Sequence, residues 1–258
     1  MQLTMNYGRE NLELDVPDNW DTVLIEKKPM PLLDNPADAF AGALANPVGC
    51  PPISELVRGK QTVCILICDI TRPVPNGIIL PLLIKNLLAA GLNRENIRIL
   101  VATGLHRPNE GDELREVVGD DWVFENITIQ NHFARNDEDH VDLGLTSLGT
   151  RVLLDKRLVE ADLRIVVGLV EPHFMAGYSG GRKLIMPGVA HEKTITYLHN
   201  ARFMGDVRAC NGNLKGNPLH DQQLEIVEML GGALAVNVVI DEHRRVTFFN
   251  FGEIIDSH

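Results

Sequence analysis

Residues 62–69, TVCILICD, lead through residues 76–90, NGIILPLLIKNLLAA, to residues 96–104, NIRILVATG. The outer two stretches are near-continuous apolar runs, and the one between them repeats its apolar positions every 3.6 residues, so the three read as strand, helix and strand. Strands apolar on both faces belong to parallel sheets that are covered on both sides. Similar runs recur at 126–132 (NITIQNH), 150–155 (TRVLLD), 163–170 (LRIVVGLV) and 233–240 (ALAVNVVI), and Glu110 to Val118 shows the helical period. The alternation predicts a three-layer α/β fold, Rossmann-like, around a mostly parallel sheet. No G-x-G-x-x-G follows the first of these strands, so the usual dinucleotide fingerprint is missing.

Working outward, LTMNY and LELDV around Gly8-Arg9-Glu10-Asn11 predict an N-terminal β-hairpin, and DTVLIE a short strand after it. The Pro-rich connector KKPMPLLDNP then leads to ADAFAGALAN, read as a helix with Asn35 or Pro36 near its start. These readings divide the chain into a hairpin and strand extension at 1–30 and an α/β core at 31–258. The last stretch, FFNFGEIIDSH, reads as a strand turning into the start of a helix.

Bulk properties narrow the partners. The 258 residues are 45% hydrophobic and 23% charged, an ordinary globular composition, with a net charge of -11 and a pI near 5.2. That charge, with no basic stripe, argues against nucleic acid or an anionic membrane and in favour of a small metabolite. No apolar run reaches the roughly 20 residues of a membrane helix, and MQLTMNYGREN has no signal-peptide core, so a cytoplasmic location is expected. Cys50, Cys64, Cys68 and Cys210 show no C-x-x-C spacing, which points to reduced thiols, with Cys64 and Cys68 as core filler.

Ligands of parallel sheets gather beyond the carboxyl ends of the strands. Asp69-Ile70-Thr71-Arg72-Pro73 stands at one such end, offering a carboxylate and a guanidinium fork for a polar substrate, or else a structural Asp-Arg pair. Thr103-Gly104-Leu105-His106-Arg107-Pro108 stands at the next, where His106 can face the same cleft. The densest cluster is 171–199, EPHFMAGYSGGRKLIMPGVAHEKTITYLH, with glycines, two lysines and three histidines. Its Gly177-Tyr178-Ser179-Gly180-Gly181 matches G-x-S-x-G, but the apolar strand ends near Val170 and Pro187 breaks the segment after the serine, so a serine elbow is rejected.

His191-Glu192 opens like a zincin helix, yet Ile195 occupies the second histidine position. His191 and His199 would lie two helical turns apart, about 12 Å, too far to share an ion comfortably. Lys183 follows Ser179, Gly180, Gly181 and Arg182, so it can meet an anion over a nest of backbone N–H groups or serve as a covalent attachment point; a solvated loop lysine is the plainer alternative. Inverting a stereocentre needs proton-handling groups on both faces of one carbon, and His106 and His173 come from different strand ends. His199 is then free to ligate a metal. His132, His140, His220 and His243 read as surface or structural.

DITRP, TGLHR, EPHFMAGYSGGRKLIMPG and the helix ending in His199 together resemble, in that order, the N-terminal domain of the nickel-pincer nucleotide-dependent lactate racemase family. The resemblance extends through NPVGCPPISELVRG and GNPLHDQQLEIVEMLGGALAVNVVID. It implies a pyridinium-3-thioamide-5-thiocarboxylic acid mononucleotide that carries nickel, is tethered to Lys183 beside Ser179, Gly180 and Gly181, and takes His199 as protein ligand. It also implies His106 and His173 as acid/base groups, Asp69 and Arg72 as orienting residues, and inversion of a 2-hydroxy acid at C2 by proton-coupled hydride transfer. Proteins that synthesise the cofactor are the implied partners. The resemblance further implies a second, C-terminal lobe, expected to begin about where this chain stops. The alternative expectation is a cofactor-binding module of the same fold without turnover.

Overall fold

The computed structural model describes residues 1–8, 10–25 and 28–258. Two units are distinguished, Met1–Met30 and Pro31–His258. The first is a two-stranded hairpin of β1 (Gln2–Tyr7) and β2 (Glu10–Asp15), paired antiparallel. This matches the expected hairpin, although Arg9 of its turn lies outside the described residues. The expected strand in DTVLIE does not form over residues 21–25, and Glu26 lies outside the described residues. Among the described residues β1 and β2 pair with each other and with no third strand.

In the second unit, α1 (Pro36–Ala45) starts where the sequence places it, with Asn35 accepting from the backbone N–H groups of Ala37 and Asp38. The order continues α2 (Ile53–Leu56), β3 (Val63–Cys68), α3 (Asn76–Ala89), β4 (Ile97–Ala102), α4 (Gly111–Val118), α5 (Asp121–Asn126) and β5 (Thr128–Asn131). Next come β6 (His140–Leu145), β7 (Arg151–Asp155), α6 (Lys156–Val159), β8 (Leu163–Leu169), β9 (Pro172–His173) and β10 (Gly177–Tyr178). The chain closes with α7 (Glu192–Leu198), α8 (Ala201–Met204), α9 (Pro218–Leu230), β11 (Leu234–Ile240) and β12 (Val246–Glu253).

The central sheet runs β12-β11-β8-β3-β4-β5. All its pairings are parallel except that of β11 with β12. Ile65 of β3 stands opposite Ile99 of β4 and Ile165 of β8. The period-2 geometry of a strand then sorts β3 between two cores. Ile65 and Ile67 pack with Phe40 of α1 and Leu83 and Leu87 of α3, whereas Cys64 and Leu66 pack with Leu198 of α7 and Ile226 of α9. Helices therefore cover both faces, which is the expected three-layer α/β architecture.

Two readings of the outer strands need correction. TRVLLD forms β7, but it pairs with β6 in a separate antiparallel ribbon rather than joining the main sheet. Its partner HVDLGL is half polar and carries an irregularity between Asp142 and Gly144, so no apolar run announces it. The helix expected at the end of FFNFGEIIDSH is a single turn at 254–256 following β12. No helix among the described residues is long and apolar enough to cross a membrane.

Candidate functional site

A cavity of about 460 Å³ opens beyond the carboxyl ends of β8, β3 and β4. β3 lies between the other two, so the segments that follow these strands form three neighbouring walls. Asp69 and Arg72 come from the segment after β3, His106 from that after β4, and His173, Ser179, Gly180 and Lys183 from that after β8. His199, at the end of α7, completes the lining.

Asp69 is buried, and its Oδ1 accepts from the Thr71 backbone N–H at 3.1 Å and the Thr71 hydroxyl at 2.5 Å. Its Oδ2 faces His106 Nδ1 at 2.5 Å. A carboxylate only accepts, so Nδ1–H of His106 donates and the Nε2 lone pair is left for the cavity. The His106 side chain is 62% exposed, so it sits at the mouth. Arg72 is also at the rim, in a loose 3.5 Å ion pair with Glu171.

His173 has the opposite polarity. Its Nδ1 accepts from the backbone N–H groups of Met175 at 3.3 Å and Ala176 at 3.2 Å, which fixes the neutral ring with its proton on Nε2. Burial lowers its pKa to about 4, with the charges of Lys183 and Arg72 adding to the effect. His199 resembles His106 instead: its Nδ1 donates to Ile195 O at 2.7 Å, using a carbonyl from the last turn of α7 and freeing Nε2 as a ligand. Burial lowers the His199 pKa, which favours the unprotonated form that binds metal.

Residues 171–180 owe their path to a latch. The Ser179 hydroxyl donates to Leu169 O at 2.7 Å and accepts from Glu171 N–H at 3.1 Å, while Ser179 N–H donates to Glu171 O at 2.9 Å. Ser179 thus lines the cavity with its hydroxyl committed to backbone. Gly180, at φ 77°, reverses the chain against β8, where Gly168 leaves room: a Cβ there would stand 2.9 Å from Gly180 Cα and 2.8 Å from a Leu184 methyl. Gly181 is not brought to the cavity; a Cβ on it would meet the His258 ring at 2.6 Å. Lys183 comes next in a 3₁₀ turn (Gly181–Leu184) with its amine toward the cavity, and burial, then Arg182 and Arg72, lower its pKa to about 8.

Cys68 packs against the second core, as expected, and also lines the cavity beside Asp69; burial pushes its thiol up to about 12. Its place at the end of an apolar run marks the first role and not the second. Thr71, Leu105, Met175 and Thr196 also line the cavity; they lie within the quoted motifs, but their residue types carry no chemistry that singles them out. Of the remaining histidines, His132 bonds Asp155 at 2.9 Å and Ala190 O at 3.1 Å and stacks edge-on with His140, which in turn meets His191. His191 caps α7 by accepting from Lys193 N–H. His191 and His199 therefore sit at opposite ends of one helix, as the rejection of a zincin site requires.

Among the described residues, no group of three or more His, Cys, Asp or Glu is placed to hold a metal ion. His199, with Nε2 free, and Lys183 line the same cavity, a pairing that fits a metal whose other donors come on an organic group fixed by the amine.

The family described as "Lactate racemase N-terminal domain" matches residues 7–212. A lactate racemase of Lactiplantibacillus plantarum is 38% identical over 216 residues, covering 84% of this chain and 50% of that protein. Another, of Thermoanaerobacterium thermosaccharolyticum, is 36% identical over 242 residues, covering 93% of this chain and 56% of its own. The solved lactate racemase apoprotein from T. thermosaccharolyticum superposes with a TM-score of 0.87 at 33% identity, over 100% of this chain and 60% of that one. A Thermotoga maritima protein shares the fold alone, with a TM-score of 0.66 at 21% identity over 80% of this chain and 56% of its own. The chain spans about half the length of the curated relatives it matches.

Proposed function

Since the chain belongs to the lactate racemase family, we propose that it carries the cofactor and proton-handling residues of a 2-hydroxy-acid racemase or epimerase. The reaction inverts C2 by proton-coupled hydride transfer, with a 2-keto acid between the two enantiomers. The cofactor is a nickel-pincer nucleotide, with Lys183 as tether and His199 as protein ligand. When bound, it supplies a reversible acceptor for the C2 hydrogen as hydride.

The chain's own residues do the rest. The Arg72 fork binds the substrate carboxylate. The His106 Nε2 lone pair takes the hydroxyl proton, and Asp69 holds the ring in that tautomer and stabilises the imidazolium that forms. Nε2–H of His173, kept neutral, donates to the oxygen as it gains carbonyl character, as a neutral imidazole does in other proton-shuttling sites. The buried Lys183 amine, with a lowered pKa, suits covalent attachment. The observation that carries the reading is the convergence of Asp69, His106, His173, Lys183 and His199 on one cavity.

Co-expression with cofactor-synthesis proteins, the proposed partners in the cytoplasm, tests it. Intact mass should show an adduct that Lys183→Ala removes, and bound nickel should fall in His199→Ala. Unchanged mass with no nickel in the native chain would refute the reading. A second reading, a cofactor-binding module without turnover, rests on the exposure of His106 and Arg72 at the rim. An adduct with no inversion of any member of a 2-hydroxy-acid panel would select it.

A further inference from the structure

A second cavity, of about 300 Å³, opens at the amino ends of β3, β4 and β5, the opposite end of the strands from the first, and shares no lining residue with it. Arg98 of β4 stands in register with Cys64 of β3, and Cys64 with Arg164 of β8, so the three side chains share one face of the sheet. Arg164 satisfies its guanidinium on α6, donating to Leu158 O at 3.0 Å and Val159 O at 2.7 Å. Arg98, on the other side of β3, meets no such carbonyl and lines the cavity instead. Among the described residues its guanidinium makes no hydrogen bond or ion pair, and its Nε is buried without a partner. Buried donors are almost always satisfied in folded proteins, so an unused guanidinium at a cavity points to a ligand.

The other charged groups of the lining are accounted for, except one. Arg157 gives Nε and Nη2 to Asp155 at 2.8 and 2.6 Å. Glu95 pairs with Arg94 at 3.6 Å. Glu160, on the segment that leaves α6, makes no side-chain hydrogen bond or ion pair among the described residues. One cavity thus holds an unpaired cation and an unpaired anion that do not meet each other. A ligand that joins them brings a carboxylate for the Arg98 fork and an ammonium group for Glu160. Glu95 and Glu160 oppose a polyanion, Arg98 opposes a plain cation, and the volume lies at the small end of metabolite sites.

We propose that this cavity binds a small zwitterionic α-amino acid, with Arg98 holding the carboxylate and Glu160 the ammonium group. The site is independent of the reaction at the carboxyl ends of the strands, since no residue serves both cavities.

Titration of the full 258-residue chain with L-alanine, L-serine and L-glutamate, followed by ¹H–¹⁵N correlation spectra, tests it. At least one of the three should shift the amides of Arg98, Thr128 and Glu160 saturably, with a Kd at or below about 1 mM, and leave those of Asp69, Gly104 and Lys183 in place. Propionate, which lacks the ammonium group, and ethylamine, which lacks the carboxylate, should bind there at least about tenfold more weakly, and so should the amino acid in Arg98→Gln and in Glu160→Gln. Unchanged amide positions away from the cavity show that each variant is folded; where one is not, the ligand contrast in the native chain decides. No saturable shift with any of the three amino acids would overturn the proposal, as would shifts confined to the first cavity. So would propionate binding as tightly as L-alanine, which would mark a plain anion site, or undiminished affinity in both folded variants.

Discussion

Asp69 Oδ2 lies 2.5 Å from His106 Nδ1, and that contact decides which nitrogen of the ring meets the substrate. Asp69→Asn keeps the shape but can present an amide donor to Nδ1, which favours the wrong tautomer. In the cofactor-loaded enzyme, kcat for racemisation is expected to fall by about 10²- to 10⁴-fold while KM changes little. An unaltered kcat would remove the pair from the reaction.

The three cavity histidines should differ in a directly observable way. Long-range ¹⁵N–¹H correlation spectra of the neutral chain should show the proton on Nδ1 for His106 and His199 and on Nε2 for His173. Signals are assigned by their loss in His→Gln variants. A proton on Nδ1 of His173 would contradict the two backbone bonds that it accepts.

Gly168 is a packing test of the site's floor. Gly168→Ala drives a methyl into Leu184 and the Gly180 backbone, and is expected to cost about 1–3 kcal/mol of stability. Urea unfolding measures the loss, and adduct formation at Lys183 should fall with it because the 3₁₀ turn is displaced. Full stability in the variant would show that the strap does not rest on β8.

Much of this arrangement is legible in the sequence, and the exceptions have local causes. Strands buried on both faces announce themselves as apolar runs, which exposes β3, β4, β8 and β11 and hence the strand ends that bear Asp69, His106 and His173. β7 carries the same signature because one side of the ribbon is buried, with Val152 and Leu154 in the second core; only pairing, which composition does not encode, assigns it elsewhere. Gly181 looks like its neighbour Gly180, yet consecutive positive-φ residues turn the chain, so one faces the cavity and the other His258. The polarity of His173 and His199 is invisible in the sequence, since it depends on backbone donors and a backbone carbonyl, whereas that of His106 follows from the Asp69 side chain.

Stability should fall on mild acidification. His173, His220 and His258 are each lowered from an ordinary 6.5 to about 4, chiefly by burial. Between about 4 and 6.5 the unfolded chain therefore binds more protons than the folded one, so stability is full above that window and is lost as pH drops through it. Urea midpoints at pH 7, 5.5 and 4.5 should decline in order, and His220→Gln should flatten the slope. A midpoint independent of pH over this range would show that these rings do not stay neutral in the fold.

The Ser179 latch closes residues 171–179 into a loop whose two ends are tied to each other and to Leu169. The loop is tied along its interior as well: Arg182 of the Lys183 turn donates to Ala176 O and Tyr178 O, Asn217 to Met175 O and the Gly212 N–H to Gly177 O. The carbonyls of one short segment thus join the strand end of β8, the lysine turn and the N-terminus of α9, so His173 is held by a hub rather than by a hinge.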